Sequence, residues 1–410
     1  MSPCAQASEH RFVVALTKRV SRTIKVSIAS TLVGFSTLCC SAPARAQAGP
    51  NAPPDAGAPR PAQAPAWSDR VHVSGLVDVY AVLNPSRPAD RENWVPGTGT
   101  TAKRANELAL NLAAVDVLVD PTPVGARVAL NIGNGTEVLH GAEPSGAGIG
   151  VRAFTLVYIA YLSAKVSSPL TLDAGIFPSH VGLEGFYSKD NWNYTRGWAS
   201  EFSPYYQTGI RATYQIVDHL SAQLHVLNGW QTVGDNNDGK TLGTQIAWST
   251  EALALSLNTL VGPELTKDND HLRFLVDSVA TWKPQSWLGL SVTADLGHQQ
   301  LPGDRSATWH AASGLARFGL SSTFAVTLRG EYFRDSDGGI TGASQTLGEG
   351  TATLEWRPWE ALILKLEGRY DRSTAPVFHA QGTHTDPMGA NVPDTRKAQT
   401  LVVLGIVATL

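Results

Sequence analysis

The feature that most constrains this chain is a period of two in the polarity of its side chains, clearest within residues 205–248. In residues 206–216 the even positions are mostly apolar or aromatic, and the odd positions are mostly polar or small. Successive side chains of a β-strand point to opposite faces, so this pattern predicts a strand with one polar and one apolar face. A short turn at 217–219 leads into a second alternating segment, and the polar stretch 234–240 precedes a third. The region predicts an antiparallel meander whose apolar face meets either a protein core or a lipid bilayer.

The N-terminus indicates the compartment. Residues 1–25 are basic, and the apolar stretch that follows, Val26 to Cys40, is about 15 residues long, too short to span a bilayer as a helix. Ala44 and Ala46 are small residues of the kind that signal peptidases require before the cleaved bond. We therefore predict a secretory signal peptide in residues 1–46, with a buried helix or a transmembrane anchor as the alternatives.

Removal of this peptide changes the composition of the chain. All three cysteines (Cys4, Cys39 and Cys40) lie within it, so the mature protein is predicted to have no disulfide framework. Lys plus Arg falls from 32 to 26 and Asp plus Glu from 35 to 34, which takes the formal net charge from −3 to −8. A net acidic chain argues against nucleic acid as a partner. No apolar run of about 18 residues remains, so helical membrane crossing is not expected.

The mature chain divides into two regions. Residues 47–70 are rich in Ala and Pro and predict an extended, disordered lead, which acts as a passive linker or, alternatively, as a polyproline ligand. Residues 71–410 contain about sixteen strand-like segments, most of them long enough for a tilted strand to cross a bilayer. The predicted strands are residues 71–84, 106–119, 124–132, 152–164, 169–177, 205–217, 219–230, 240–249, 252–262, 271–283, 287–298, 307–319, 322–334, 347–357, 361–371 and 398–410.

The connections between these segments alternate in length. Short turns such as 120–123 and 217–219 are each followed by a longer connection. Short turns on one side and long loops on the other are typical of outer-membrane barrels. We predict an all-β fold, a transmembrane antiparallel up-and-down β-barrel in the bacterial outer membrane with short periplasmic turns. The predicted outer loops are residues 85–105, 133–151, 178–204, 231–239, 263–270, 299–306, 335–346 and 372–397.

The two faces of the strands support a barrel around a water-filled lumen. Charged residues recur opposite the apolar face, and an unpaired charge in a dry core would cost several kcal/mol. The apolar phase changes within the second segment, which predicts a bulge near Ala113. Leu410 stands at the C-terminus, where such barrels usually carry an aromatic residue. Aromatic residues near strand ends predict girdles at the lipid interface; these are Trp230, Trp248, Trp282, Trp287, Tyr332, Trp356, Trp359 and Tyr370.

Three short motifs carry a family resemblance. They are Asn-Trp-Asn-Tyr-Thr-Arg at 191–196, Ser-Pro-Tyr-Tyr-Gln-Thr-Gly at 203–209 and Val-Leu-Asn-Gly-Trp at 226–230. In these motifs the chain resembles the OmpL-like putative beta-barrel porins of bacterial outer membranes. The resemblance implies a barrel and a channel, assigns no substrate, and carries over no catalytic residue. The strand pattern extends the likeness across residues 71–410.

The candidate site lies where loop 178–204, the third outer loop, meets the lumen. In general porins this loop folds inward and narrows the pore. Acids on the loop facing bases on the wall would create a transverse field that sorts solutes by charge. The alternatives are a solvated surface loop and a loop that Asn193, Tyr194 and Arg196 fasten to the wall. The candidate residues are Glu184, Asp190, Arg196 and Glu201 in the loop, and Arg127, Arg211, Arg273, Arg329, Lys365 and Arg369 on the wall.

The function predicted from these observations is a porin that passes small hydrophilic solutes or ions. The expected partners are these solutes, outer-membrane lipid and further copies of the chain in a homotrimer, with no cofactor or metal. The alternatives are a closed structural or adhesin barrel and an outer-membrane hydrolase, although no Gly-x-Ser-x-Gly elbow occurs. His379 and His384 have the chemistry of metal ligands without a third ligand close in sequence. Residues 235–239 and 335–339 resemble calcium loops but lack the spacing of alternate ligands.

Overall fold

The computed structural model describes residues 67–141, 143 and 155–410. The predicted signal peptide, residues 1–46, lies outside the described residues, as does the predicted lead up to residue 66. The last four residues of that lead, Trp67–Arg70, form a 3-10 helix directly before the first strand. None of the helices within the described ranges is long and apolar enough to cross a membrane.

Sixteen strands form a closed antiparallel barrel in which each strand pairs with its neighbours along the chain, and β1 closes it against β18. Two further strands, β16 and β17, form a separate hairpin. Two short helices, α1 and α2, lie in the loops after β3 and β5. The elements are β1 (Val71–Leu83), β2 (Leu108–Val119), β3 (Val124–Ile132), α1 (Asn134–Leu139), β4 (Val157–Lys165), β5 (Leu170–Pro178), α2 (Trp198–Glu201), β6 (Tyr206–Val217), β7 (Leu220–Leu227), β8 (Thr241–Ser249), β9 (Leu253–Pro263), β10 (Leu272–Gln285), β11 (Leu288–Leu301), β12 (Arg305–Gly319), β13 (Phe324–Asp335), β14 (Gln345–Trp359), β15 (Leu362–Ser373), β16 (Phe378–Thr385), β17 (Asn391–Arg396) and β18 (Ala398–Thr409).

The predicted strands are confirmed within the described residues, with local differences; residues 152–154 of the predicted strand 152–164, and 142 and 144–151 of the predicted loop 133–151, lie outside the described residues. The bulge in β2 lies at Asn111 rather than Ala113, because Asp78 pairs with Leu112 and the next residue of β1 pairs with Leu110. The predicted outer loop 299–306 is reduced to residues 302–304, because β11 and β12 extend beyond their predicted ends. The hairpin β16–β17 lies within the predicted loop 372–397 and was not predicted.

The outer face of the barrel is apolar. Leu130 and Leu328, on β3 and β13, are about equally exposed at 49% and 48%, as expected of side chains that meet lipid. Of the aromatic residues predicted at the rims, all except Trp230 are exposed on this face. Trp230 instead lies inside the outer mouth, with its ring against the guanidinium of Arg273. Tyr206, predicted on the apolar face, is buried and its hydroxyl donates to Glu143.

Candidate functional site

The loop after β5, residues 179–205, crosses the inside of the barrel. Gly182 donates its backbone N–H to Asp277 of β10 at 3.2 Å. Further along the loop, the hydroxyl of Tyr187 donates to Asn131 of β3 at 3.0 Å. Tyr194 donates its hydroxyl to Asp78 of β1 at 2.7 Å. Because these partners lie on distant parts of the wall, the loop spans the lumen.

Carboxylates on the wall hold the loop by its backbone N–H groups. Glu367 accepts from the N–H of Tyr194 at 2.7 Å and from that of Thr195 at 3.1 Å. Glu331 accepts from the N–H of Ala199 at 2.6 Å. Each of these carboxyl groups replaces the water that the backbone N–H groups would otherwise bind, so the contacts position the loop.

Bases on the wall hold the loop by its backbone carbonyls. Lys365 donates from Nζ to the carbonyl oxygens of Ser188 at 2.9 Å and Asn193 at 3.2 Å. Arg329 donates to the carbonyl of Thr195 at 2.6 Å. Arg369 donates to the carbonyl of Arg196 at 2.5 Å. Three of the predicted wall bases therefore act as fasteners of the loop.

The same bases are neutralised by carboxylates. Arg329 lies 2.7 Å from Glu184 of the loop and 2.7 Å from Glu349 of β14. Arg369 lies 2.8 Å from Asp371. All five of these side chains are almost fully buried, at 0–5% exposure. The expectation that charged inward-facing residues line water is wrong for this part of the wall, where pairing instead of hydration compensates the buried charges.

A close approach of the loop to the wall depends on one glycine. The ring of Tyr194 packs on β18 at Gly405, where an added Cβ would lie 2.2 Å from Cδ2 of the tyrosine. Such a contact is far inside van der Waals distance, so any other residue at this position would displace the ring. The glycine lets the loop seat flat against the inner surface.

Burial controls the ionisation of groups in the loop. It raises the pKa of Tyr187 to about 12 and raises the pKa of Tyr194 well above its ordinary value. The tyrosines remain protonated and continue to donate their hydrogen bonds to the wall. Burial also lowers the pKa of His180, despite hydrogen bonds to Thr259 and Gln207 that favour the charged form. The histidine is therefore neutral at physiological pH.

A second inward loop, residues 84–107, was not predicted. Its Trp94 is fully buried and stands edge-on to Trp198, with ring centroids 5.6 Å apart. The guanidinium of Arg369 lies 4.3 Å from the Trp94 ring. Glu201 accepts N–H donors from Gly99 and Thr100 of this loop, both at 3.2 Å. The only signal in the sequence is a tryptophan within a Gly-, Pro- and Thr-rich stretch, which does not indicate inward folding.

Three cavities in the described part of the chain each have residues of β10 in their lining. An outer cavity of about 380 Å³ is lined by residues including Glu201, Trp230 and Arg273. An inner cavity of about 170 Å³ is lined by the loop and by residues of β10–β12. A periplasmic cavity of about 670 Å³ opens among the short turns. Trp192 and Lys283 line both the inner and the periplasmic cavity, so the boundary between these two lies at this pair.

The outer and inner cavities share no lining residue. Between them the loop contacts the wall at two carboxylates, with Ser203 donating from Oγ to Asp295 at 3.4 Å and Gly182 bonding to Asp277. The second carboxylate oxygen of Asp295, Oδ1, is buried and has no hydrogen-bond partner among the described residues.

Residues 70–410 match a family model described as "Putative beta-barrel porin-2, OmpL-like". The chain belongs to this family. The match spans the whole barrel, which establishes a porin-type barrel of the bacterial outer membrane. No curated protein matches the chain.

Solved outer-membrane barrels share the fold of this family member at low sequence identity. The anion-selective porin from Comamonas acidovorans has a TM-score of 0.53 and 12% identity, over 83% of this chain and 99% of the porin. OmpT of Vibrio cholerae has a TM-score of 0.52 and 11% identity, over 83% and 97%. The outer-membrane channel DcaP of Acinetobacter baumannii has a TM-score of 0.51 and 11% identity, over 83% and 97%. Such identities establish the fold alone.

The remaining candidate residues lie in ion pairs between strands, inside the loop or in the lining of a cavity. Arg127 and Arg211 form ion pairs across neighbouring strands, with Asp116 at 2.6 Å and Asp173 at 2.7 Å. Arg196 is buried in the loop between the rings of Phe186 and Tyr205 and donates to the carbonyl of Gly185. Asp190 lines the inner cavity beside Lys189, and Arg273 lines the outer cavity.

The residues considered as metal ligands lie in outer loops. His379 pairs with Asp90 at 2.6 Å, and His384 pairs with Asp394 at 2.9 Å across the hairpin β16–β17. Within residues 67–141, 143 and 155–410, no group of three or more His, Cys, Asp or Glu is arranged to hold a metal ion. Asp335 accepts backbone N–H groups of Gly339, Ile340 and Thr341, as in an ordinary turn.

Proposed function

We propose that this porin-family barrel is a passive channel for small hydrophilic solutes or ions, narrowed by loop 179–205. The observation that supports this most is the position of two cavities beside the inward loop. The loop is fastened to β1, β13 and β15 by buried hydrogen bonds, and the inner and outer cavities lie between it and residues of β10–β12. A rigidly held loop leaves a passage of fixed width beside it, which suits filtering by size.

We propose that fewer residues form the charge filter than the sequence pattern indicated. Glu184, Arg329, Lys365 and Arg369 are occupied in fastening the loop, so their fields are largely internal. Asp190 and Arg273 line the inner and the outer cavity, and Lys283 lines the inner one. We propose that these three residues set the ion selectivity of the channel.

Single-channel conductance tests this function. The mature chain, residues 47–410, is refolded in detergent, checked for heat-dependent gel mobility, and inserted into a planar lipid bilayer. Discrete, reproducible current steps are expected because the passage contains water at all times. A correctly folded barrel that produces no steps over many insertions would contradict the channel and favour a closed structural or adhesin barrel.

We also propose that the barrel assembles as a homotrimer through β18 and β1–β5. The exposed Trp, Tyr and Phe residues of the described strands and turns lie from β6 to β15, whereas the exposed large hydrophobic side chains of β18 and β1–β5 are aliphatic. Aromatic girdles mark surfaces that meet the lipid interface. A sector without them is suited to contact with another subunit. A trimer form of OmpT of Vibrio cholerae is among the solved structures with this fold, at 10% identity and a TM-score of 0.50.

Two leucines of matched exposure test the assembly. Leu130 lies in the sector without aromatics and Leu328 in the aromatic sector. We expect Leu130→Asp to convert trimers into monomers in native mass spectrometry from detergent, because the carboxylate would be desolvated between subunits. Leu328→Asp should remain trimeric. Equal masses for the two variants, or a monomeric parent protein, would contradict this interface.

A further inference from the structure

The outer cavity has an unusual lining. Its walls come from loops, among them 84–107, 179–205 and 228–240, and Arg273 is the one residue from a barrel strand among those that line it. Loops can vary in position, but the backbone of β10 is held by pairing with β9 and β11 on either side, and Nε of Arg273 donates to Gln299 of β11. The guanidinium is therefore the fixed point of this cavity.

Arg273 differs from the other arginines that face the lumen from the barrel wall. Arg127, Arg211, Arg317, Arg329, Arg357 and Arg369 each have a carboxylate within 4.0 Å. In the described part of the chain Arg273 has none, and its Nε donates to Gln299 at 2.7 Å. Its terminal nitrogens, Nη1 and Nη2, have no hydrogen-bond partner among the same residues. The two terminal nitrogens of this arginine, which form one edge of the planar guanidinium, are thus available to a ligand. We refer to this edge as the fork of Arg273.

Aromatic rings hold this fork in place. The guanidinium carbon lies 5.1 Å from the Trp230 ring and 5.9 Å from the Trp309 ring, and the two indoles stand edge-on with centroids 6.3 Å apart. Stacking on aromatic faces orients an arginine without consuming its N–H donors. An oriented fork with free donors matches the two oxygens of a carboxylate, which it binds through two parallel hydrogen bonds.

The two acids of the cavity are already engaged. Glu201 accepts hydrogen bonds from loop 84–107, and Glu264 accepts from Thr241 and from the N–H of Trp230. Their oxygens are not free for a cationic solute, but their charge disfavours anions with more than one negative charge. Trp230, Phe202 and Ile340 add apolar surface to the same cavity.

We propose that the outer cavity is a binding site for a small monocarboxylate with an apolar or aromatic body. Arg273 binds the carboxylate, and the rings beside it contact the body of the solute. The proposal rests on the channel function proposed above and names the class of solute that the channel captures at its outer mouth. About 380 Å³ is enough for one such molecule, so a bound solute fills the passage and interrupts the ion current.

The test measures block of the potassium chloride current of the refolded mature chain by benzoate, with benzamide as the uncharged analogue. Benzoate should reduce the current in a saturable way, and benzamide should not. Arg273→Gln should raise the half-blocking concentration about tenfold, since a hydrogen-bonded charge is lost. Arg305→Gln is the matched control, because Arg305 is exposed at the outer rim and away from the cavity lining. It should leave the block unchanged.

A second variant separates recognition from folding. Trp230→Ala keeps the charge of the site and removes apolar surface, so it should weaken block by benzoate more than block by acetate. If Arg273→Gln does not refold, this difference decides the outcome. Equal block by benzoate and benzamide, or equal sensitivity of the parent, Arg273→Gln and Trp230→Ala proteins, would overturn the binding site while the current itself upholds the channel. Absence of any current would instead contradict the channel.

Discussion

The two sides of the lumen use the same residue types for different purposes. On the side of β13–β15, Arg329 and Glu349 lie 2.7 Å apart and are fully buried. On the side of β10 and β11, Arg273 and Lys283 have no carboxylate within 4.0 Å among the described residues. A charge with its partners satisfied contributes to structure, while a charge with free donors or acceptors is available to a solute.

This difference shows where function should be sought in such barrels. Both sides display alternating charged residues, and the charge count is higher where the loop is fastened. Selectivity is nevertheless expected from the side with fewer charges, because Arg273 and Lys283 line cavities there without a carboxylate within 4.0 Å among the described residues. The contrast can be tested by changing one residue on each side and measuring stability and current separately.

The largest effect is expected on the stability of the barrel, from a change on the side of β13–β15 where the loop is fastened. Arg329→Leu would leave Glu184 and Glu349 as buried charges without their main partner. Removal of one member of a buried ion pair costs about 3–5 kcal/mol. We expect a loss of that order in urea unfolding of the refolded barrel, followed by tryptophan fluorescence, and increased protease sensitivity of loop 179–205.

Arg127→Leu is the matched control for this loss. Arg127 also pairs with an aspartate on the neighbouring strand, but its side chain is 31% exposed. A pair that keeps part of its hydration contributes less than a fully buried one, so this variant should lose less stability than Arg329→Leu. If the two variants lost similar free energies of unfolding, the ion pairs on the fastened side would be no more stabilising than the pair at Arg127.

The barrel itself was predictable because its cause is local. Each strand carries the alternation of polar and apolar residues and the length that identify it, and a turn follows each strand directly. The sixteen barrel strands could therefore be predicted one by one from the sequence. The hairpin β16–β17 was missed because its strands are short and polar on both faces, as in Gln381–His384. Such a segment lacks the apolar face by which strands are recognised.

The partners of the charged residues were not predictable because they are distant in sequence. Arg329 and Glu184 are 145 residues apart, and they meet only because the loop turns into the barrel. Glu349 reaches Arg329 through the pairing of β13 with β14. Periodicity gives the face on which a side chain lies, but the neighbour across the strand or within the lumen depends on register and on loop path.

Ion selectivity should respond most to Lys283 on the open side. The ammonium group has no carboxylate partner in the described part of the chain and lines both the inner and the periplasmic cavity. Lys283→Gln removes a charge worth about 1 kcal/mol to an ion within about 4 Å in water, so the cation-to-anion permeability ratio should rise up to about fivefold. Reversal potentials in a salt gradient measure it. Lys165→Gln, at an exposed position near the periplasmic rim, should change the ratio little; equal shifts would contradict a local filter.

Conductance should respond to Trp192, which separates the inner cavity from the periplasmic one. Its ring packs on Gly289 of β11, and truncation to Ala joins the two cavities. We expect an increase in single-channel conductance on the order of twofold, because a wider constriction raises ion flow. Trp359→Ala removes an equally large ring from the lipid face, where Trp359 is 69% exposed, and should leave conductance unchanged. A conductance of the Trp192 variant equal to that of the parent would place the narrowest point elsewhere.

The smallest effect is expected on the permeability ratio, from a change of pH that protonates an acid in the outer cavity. Burial raises the pKa of Glu264, and the nearby Arg273 opposes part of that rise. A raised pKa means that the carboxyl group takes up its proton at a higher pH than an ordinary glutamate, whose pKa is about 4.3. Acidification should therefore remove negative charge beside Arg273 at a higher pH than for an ordinary glutamate, and shift the permeability ratio towards anions by less than the change at Lys283. Glu264→Gln at neutral pH should reproduce the acidic behaviour of the parent protein and lose this part of the pH dependence. If the permeability ratio of the Glu264→Gln variant changes with pH as in the parent protein, the charge of Glu264 does not affect anion passage at Arg273.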